Sequence, residues 1–248
     1  MNIFNNNAKG KGALFLEKEG SIVMFKVIEV KTSIYERNNE VAAQLRRDLA
    51  KQGTYFMNLM SSPGSGKTTM LKSLLGILKE ELEICVMEAD IDSDVDAKTI
   101  SDLGVKTIQL HTGGMCHVDA MMTRHGMQEV GMENIDFCVL ENVGNLICTA
   151  GYDLGANLNT MILSVPEGHD KPLKYPKMFT VCDLLIVSKI DVAPYFDFDF
   201  EALKESVLQL NPNMKIITVS AKDGTNMMEL AAYIKKEVML CKNKNQES

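Results

Sequence analysis

The sequence predicts a single α/β domain, with a mostly parallel sheet and helices on both of its faces. Two observations predict this fold: short apolar runs recur along the chain, and helical stretches separate most of them. Strands of a parallel sheet are buried on both faces, so they are apolar throughout instead of alternating with polar residues. The runs are residues 55–60, 84–88, 106–110, 136–141, 160–165, 184–188 and 215–219.

An amphipathic helix is predicted to precede the first strand. Val41, Ala42, Leu45 and Leu49 recur at helical spacing among charged residues between positions 34 and 51. Because 46% of the 248 residues are hydrophobic and 24% are charged, the chain can bury a substantial core without disulfide or metal staples.

The ends of the chain read differently from its middle. Residues 1–23 begin with a polar stretch rich in Gly and Lys, and Met24 is a second plausible initiator. We expect residues 1–23 to be an N-terminal extension, native or left from cloning, with no part in the function. The domain then covers residues 24–242, and residues 243–248 form a polar C-terminal tail.

Charge and composition exclude several classes of partner. The net charge of −7 leaves no dominant basic face, which argues against nucleic acid as the main partner. No apolar run approaches the roughly 20 residues that span a bilayer, so no membrane association is expected. The six cysteines lack the spacing of a disulfide framework, and we therefore expect a cytoplasmic protein with reduced thiols.

The segment after the first predicted strand matches a phosphate-binding loop, or P-loop. Residues 61–68, SSPGSGKT, fit G-x-x-x-x-G-K-S/T except that Ser61 replaces the first glycine, a position that shapes the turn. A plain Gly/Ser turn is the alternative, but GSGKTT directly between an apolar strand and a Leu-rich helix favours a nucleotide site. The predicted nucleotide contacts in this loop are Gly64, Ser65, Gly66, Lys67, Thr68 and Thr69.

Two other strand ends supply carboxylates for Mg²⁺ and hydrolysis. ENVG, residues 141–144, is similar to the D-x-x-G element of GTPases: Glu141 can hold Mg²⁺ through water, and the Gly144 N–H can meet the γ-phosphate. In EADIDSDVDAKTI, Asp90 is the favoured carboxylate near Mg²⁺ or the attacking water, and Asp96 is a second candidate. A solvated helix-capping turn explains the other aspartates. The predicted catalytic groups are Lys67, Asp90 and Glu141, and the predicted Mg²⁺ ligands are Thr68, Asp90 and Glu141.

Base recognition is predicted from SKID and SAK, each at the end of a strand. Asp191 can accept hydrogen bonds from guanine N1–H and the exocyclic amine, which adenine does not offer in that arrangement. Ser188 stands where Asn is usual, so one polar contact is shortened or lost, and ATP stays an alternative to GTP and GDP. The predicted base-side contacts are Lys189, Asp191, Ser220, Ala221 and Lys222.

Cysteine and histidine suggest a second site. Cys116 and His117 follow a Gly-Gly turn, Cys148 lies past a strand, and all three are expected on the nucleotide face. Thiolate with imidazole suits Ni²⁺ or Zn²⁺, although no C-x-x-C is present. Three donors leave a tetrahedral site open, which suits a transient site or one completed in a two-fold dimer. His125 is a weaker fourth candidate, since a surface role is more common.

The remaining cysteines have other predicted roles. Cys85, Cys138 and Cys182 lie in or beside strand runs and are expected to be small core residues.

HypB is the family that this chain resembles, through the ordered stretches SSPGSGKTT, GGMCHVDA, ENVGNLICTAGYDLG, PEGHDKPLKYPKMF, SKIDVAPYFDFD and SAKDG. The resemblance extends from about Met24 to about Leu240. It implies a SIMIBI-class P-loop fold, GTP hydrolysis and nucleotide-linked homodimerisation. It also implies nickel insertion into nickel–iron hydrogenase, with a partner metallochaperone and the hydrogenase large subunit as partners.

The resemblance also bears on the metal site. It implies a metal site at Cys116, His117 and Cys148, and His125 matches a further histidine position of some members. Met121 occupies a position that is sometimes histidine, and the stretch before Cys85 lacks the Cys-rich or His-rich motif found in some members.

Three alternatives stay open on sequence grounds. UreG, the nickel GTPase of urease maturation, carries a C-P-H motif that this chain lacks. A nucleotide-gated module that binds partner proteins would hold metal only incidentally. A small-molecule kinase would need a pocket for a phosphate acceptor.

Overall fold

The computed structural model describes residues 4–5, 13–18, 21–26, 30–90 and 100–246. Its central feature is a seven-stranded sheet in the order β10-β9-β8-β4-β7-β5-β6, and every neighbouring pair is parallel. Its strands are β4 (Tyr55–Ser61), β5 (Ile84–Asp90), β6 (Lys106–His111), β7 (Phe137–Glu141), β8 (Leu158–Ser164), β9 (Leu184–Ser188) and β10 (Lys215–Thr218). The predicted parallel α/β sheet is therefore confirmed.

Helices connect and flank the strands. They are α1 (Val30–Gln52), α2 (Lys67–Leu78), α3 (Ala120–Val130), α4 (Lys171–Lys174), α5 (Pro176–Val181), α6 (Phe200–Leu210) and α7 (Met227–Gln246). The helix predicted over residues 34–51 is α1, and Ala42, Leu45 and Leu49 are buried as its periodicity predicts. Among the described residues, no helix is long and apolar enough to cross a membrane.

Strand β4 shows how the core is divided between the two faces. Met57 and Leu59 pack with α2 and α7 on one face, whereas Phe56 packs with α1 and α3 on the other. Met60 shares that second face with α5 and α6. Because β4 is covered on both sides, all seven of its residues are buried, which explains its unbroken apolar character.

Two elements of the structure extend across the predicted domain boundaries. Residues 1–37 form a compact unit of their own, containing an antiparallel sheet of β1 (Phe4–Asn5), β2 (Ala13–Lys18) and β3 (Ser21–Lys26). The boundary predicted after residue 23 falls inside β3, where Met24 pairs with Phe15 of β2. At the other end, α7 continues through Gln246 into the predicted polar tail. The proposal that residues 1–23 play no part in function stays a prediction.

The sheet brings the predicted functional stretches to one edge. Parallel strands share the edge at their carboxyl ends, where open α/β sheets bind their ligands. Ser61, Asp90, Glu141 and Ser188 are each the last residue of their strand. The other predicted aspartates, Asp92, Asp94 and Asp96, lie outside the described residues.

Candidate functional site

The loop between β4 and α2 has the backbone of a phosphate cradle. Gly64 and Gly66 have φ values of 74° and 90°, a left-handed region that favours glycine. A Cβ on Gly66 would also lie 3.4 Å from the side chain of Lys189. Gly66 is the N-cap of α2, so the loop ends at a helix N-terminus, where free N–H groups favour an anion.

Ser61 has a role that its turn-shaping prediction missed. Its hydroxyl accepts hydrogen bonds from Ser65 Oγ (2.6 Å) and Lys67 Nζ (3.0 Å) and donates to the Ser62 carbonyl (2.6 Å). The serine that replaces the first glycine therefore connects the start of the loop to its lysine. The departure from the consensus was visible in the sequence, but these contacts were not.

Two of the three predicted magnesium ligands, Thr68 and Glu141, are in contact, and the third, Asp90, lines the cavity beside them. Thr68 Oγ1 donates a 3.0 Å hydrogen bond to Glu141 Oε1, and β7 pairs with β4 so that Glu141 lies opposite Leu59. A cavity of about 50 Å³ adjoins this pair, lined by Lys67, Glu88, Ala89, Asp90, Gln109, Glu141, Asn142 and Gly144. Hydroxyl and carboxylate oxygens are the protein ligands that Mg²⁺ prefers, so these residues fit that ion.

A larger cavity, of about 280 Å³, unites the loop with the predicted base-reading residues. It is lined by Ser65, Gly66, Thr69, Met70, Ser188, Lys189, Asp191, Val192, Ala221 and Lys222. The loop and both base motifs, which are distant in sequence, therefore form one pocket. An apolar wall with a few converging polar groups is typical of a small-molecule site.

Hydrogen bonds hold the base motifs against the loop. Ser188 Oγ donates to the carbonyl of Ser65 (2.9 Å), and Lys189 Nζ donates to that of Gly64 (2.7 Å). Asp191 is largely buried, and its carboxylate accepts a 3.0 Å hydrogen bond from Ser220 Oγ. Lys222 lies 3.7 Å from the same carboxylate but is mostly exposed. The carboxylate is thus oriented from one side and lines the pocket on the other.

A single segment leads from the phosphate loop to the cysteines. Gly144 packs so closely on the loop that an added Cβ would lie 3.1 Å from the backbone nitrogen of Pro63. The side-chain oxygen of the next residue, Asn145, accepts hydrogen bonds from the N–H groups of Ile147 and Cys148, each 2.8 Å long. The position of Cys148 is therefore fixed by a turn that begins beside the phosphate loop.

Cys116 and Cys148 are in direct contact. Their sulfur atoms are 2.6 Å apart, with both thiols free, and Cys116 Sγ lies 3.9 Å from His117 Nδ1. The hydrogen bond with Cys116, followed by burial, raises the pKa of the Cys148 thiol, and the Asn145 contact opposes the shift. Burial lowers the pKa of His117 against the opposing effect of Asp119, which favours the neutral imidazole that binds metals.

His117 has a stacking partner that the sequence did not reveal. Its ring lies parallel to that of Tyr152, with centroids 4.0 Å apart and an interplanar angle of 12°. Tyr152 belongs to the same segment as Cys148, so that segment contacts both Cys116 and His117.

The predicted ligand set is only partly assembled. In residues 34–90 and 100–243, no group of three or more His, Cys, Asp or Glu side chains forms a metal-binding arrangement. His125 is exposed on α3 and is not grouped with the two thiols. The ligand roles of Cys116, His117, Cys148 and His125 stay predictions. Cys85, Cys138 and Cys182 are fully buried, which confirms their predicted place in the core.

Comparison with known proteins fits this geometry. The family described as CobW/HypB/UreG, nucleotide-binding domain, matches residues 56–218. The chain belongs to this family. This match confirms the resemblance, and the parallel sheet with its helices confirms the predicted fold class.

Within the family, the chain is similar in sequence to proteins named HypB. It is 41% identical to the hydrogenase maturation factor HypB of Rhizobium leguminosarum, over 84% of this chain and 70% of that protein. It is 40% identical to the hydrogenase/urease maturation factor HypB of Helicobacter hepaticus, over 86% of this chain and 88% of that protein.

A crystal structure of a family member shows the same fold. HypB from Helicobacter pylori, crystallised in complex with nickel, superposes with a TM-score of 0.77 at 39% identity, covering 82% of this chain and 95% of that one.

Proposed function

We propose that this chain is a GTP-hydrolysing nickel metallochaperone that serves the maturation of nickel–iron hydrogenase. The observation that carries the proposal is the segment from Glu141 to Tyr152. At one end, Glu141 and Gly144 adjoin the phosphate loop, and at the other, Cys148 contacts Cys116. One stretch of backbone thus reaches both the nucleotide pocket and the thiol pair.

The residues of the nucleotide pocket support GTP as the substrate. The Asp191 carboxylate, oriented by Ser220, lines the 280 Å³ cavity and can accept the two donors of a guanine edge. Lys67 can neutralise the β- and γ-phosphates at the N-terminus of α2. Bound Mg²⁺ would screen phosphate charge, and Thr68, Glu141 and Asp90 are the groups that would hold it.

The two thiols and the imidazole beside them support a soft divalent cation as cargo. Two thiols and an imidazole with a lowered pKa are the donor types that bind Ni²⁺ or Zn²⁺. Since these three donors are not preassembled, cation binding is expected to draw His117 toward the sulfur atoms. A fourth ligand from a second copy would complete the site, which supports a homodimer that depends on nucleotide or metal.

Movement of the shared segment would link the two sites. When the γ-phosphate leaves, Gly144 loses a partner, and Asn145 transmits the shift to the backbone of Cys148. A coupling of about 1–3 kcal/mol changes metal affinity about 5- to 150-fold, enough to release cargo to an acceptor. The proposal includes a cytoplasmic location, with a partner metallochaperone and the hydrogenase large subunit as acceptors.

The test is titration of the purified chain with Ni²⁺ and Zn²⁺, with GDP and with a non-hydrolysable GTP analogue, recording the oligomeric state in each sample. We expect nickel affinity to differ between the nucleotide states and to be lost in Cys148→Ser. Cys241→Ser is the matched control, because Cys241 lies on α7 and contacts the Thr54 carbonyl instead.

Two outcomes would contradict this proposal. Equal nickel affinities in the two nucleotide states would remove the release step. Normal hydrogenase maturation by a Cys116→Ala/Cys148→Ala variant would favour a partner-binding module with incidental metal binding.

Urease is a second candidate acceptor of the metal, because the name of the relative from Helicobacter hepaticus includes urease maturation. Expression of this chain in a host that lacks its own HypB and makes both enzymes would separate the two. Rescue of urease activity as well as hydrogenase activity would support the wider role.

A further inference from the structure

The side-chain amide of Gln109 is shielded from solvent, and the packing of its strand does not explain why a polar group lies there. It lies on β6, which ends the described sheet, between Ile108 and Leu110, which pack against the core around α3. Gln109 therefore points to the opposite face. Both polar atoms of its amide are shielded from solvent, and within the described parts of the chain neither has a hydrogen-bond partner.

The amide lines the 50 Å³ cavity beside the phosphate loop. Strand register places Gln109 next to Glu88 and Glu88 next to Glu141, so the three side chains lie side by side across β6, β5 and β7. Lys67 and Gly144 close the cavity toward the loop. The unpartnered amide therefore faces the groups that surround the predicted γ-phosphate position.

The cavity has the size and chemistry of a water site. A water occupies about 30 Å³ in the liquid, so a volume of about 50 Å³ admits one with room to move. An amide can donate from nitrogen and accept at oxygen at the same time. It does not titrate in the ordinary pH range, so it can orient a water but cannot act as its general base.

We propose that Gln109 is the residue that positions the attacking water for GTP hydrolysis. This inference rests on the proposed function. The water oxygen forms a bond to the γ-phosphorus while the bond from that phosphorus to the β–γ bridging oxygen breaks, and GDP keeps the electron pair. The proton that the water loses passes to the phosphate product. Gln109 holds the water and is unchanged by the step.

The test compares Gln109→Leu with the wild type in single-turnover GTP hydrolysis and in nucleotide binding. We expect the hydrolysis rate to fall by about one to two orders of magnitude, because a misplaced nucleophile loses its alignment. Affinities for GDP and for a non-hydrolysable GTP analogue should stay within about twofold. Affinity for GDP with aluminium fluoride, which imitates the phosphoryl group in transfer, should fall with the rate.

Thr107→Val is the matched control, because Thr107 lies on the same strand and face, its hydroxyl donates to the Val105 carbonyl, and it does not line the cavity. It should leave all four measurements unchanged. Gln109→Asn, which keeps the amide but withdraws it by one methylene, should give an intermediate rate and serves if the Leu variant does not fold.

The outcomes separate this inference from the proposed function. A wild-type protein that neither binds nor hydrolyses GTP contradicts the function itself. A wild type that hydrolyses GTP together with a Gln109→Leu variant of equal rate overturns the role of Gln109 alone. Equal losses of GDP and GDP–aluminium fluoride affinity would show a purely structural role and would overturn it as well.

Discussion

At the scale of single residues, two serines replace the residues that are usual in nucleotide motifs, and both act on Ser65. Ser61 accepts a hydrogen bond from the Ser65 hydroxyl, while Ser188 donates one to the Ser65 carbonyl. From the sequence, Ser188 was expected to shorten or lose a polar contact. That loss stays a prediction, and in the structure the Ser188 hydroxyl connects the base-reading loop to the phosphate loop. The two serines therefore hold the phosphate loop through both the side chain and the backbone carbonyl of the buried Ser65.

Ser61→Ala tests the first of these contacts. The change leaves the Ser65 hydroxyl and the Lys67 ammonium without their acceptor, and Ser65 is fully buried. We expect the free energy of unfolding to fall by about 1–3 kcal/mol, the usual cost of an unsatisfied buried group. Urea denaturation without nucleotide measures it.

Ser62→Ala is the control for that measurement, since only the backbone carbonyl of Ser62 takes part in the contact. If Ser61→Ala and Ser62→Ala unfold at the same urea concentration, the Ser61 hydroxyl does not hold the loop.

At the scale of elements, the segment after β7 depends on a close approach to α1. Gly155 has a φ of 79°, and a Cβ there would lie 2.6 Å from the carbonyl oxygen of Ala42. Asn38, one turn earlier on α1, donates to the carbonyl of Asp153 and accepts from the N–H of Ala120 at the start of α3. Helix α1 therefore anchors both cysteine-bearing segments.

Gly155→Ala is expected to destabilise the protein by about 2–5 kcal/mol, because backbone strain and a steric clash both contribute. The melting temperature of the purified variant measures the effect. Gly76→Ala is the matched control: Gly76 lies in α2, and nothing lies within 4 Å of the Cβ it would gain. That variant should be unchanged or more stable by about 0.4–1 kcal/mol. A Gly155→Ala variant that melts with the wild type would contradict the close contact.

The elements themselves were largely predictable. All seven sheet strands were found within two residues of their predicted starts, because a strand buried on both faces leaves an uninterrupted apolar run. The order of the strands was not predictable, since it depends on which helices cross which face. The hairpin of β2 and β3 was missed because its short strands precede a helix and lack the βα alternation of the rest.

At the scale of the whole molecule, the residues of the candidate site that belong to a short sequence motif could be predicted. Those that only folding brings to the site could not. Lys67, Thr68 and Asp191 follow from local spacing. The fold places Lys67 and Asp191 in the linings of the two cavities and brings Thr68 into contact with Glu141. Gln109 and Tyr152 carry no motif. Their contacts join strands and loops that are more than 20 residues apart in sequence, so these contacts can be seen only in the folded chain.

The two sites must also affect one another equally if they share the segment from Glu141 to Tyr152. Coupling between two ligands is reciprocal, because both binding orders reach the same doubly liganded state. If a GTP analogue changes nickel affinity by some factor, nickel must change analogue affinity by the same factor, about 5- to 150-fold. Fluorescence titration of a labelled analogue, with and without saturating Ni²⁺, gives the second factor.

Asn145→Ala should reduce both factors together, because Asn145 joins the phosphate side of the segment to the Cys148 backbone. Each ligand should still bind alone, since Asn145 lines neither nucleotide cavity and lies outside the donor set proposed for the metal. A variant that keeps full coupling in both directions would show that the communication runs elsewhere, for example across a dimer interface. Titration at a concentration where gel filtration shows a monomer would then test that route.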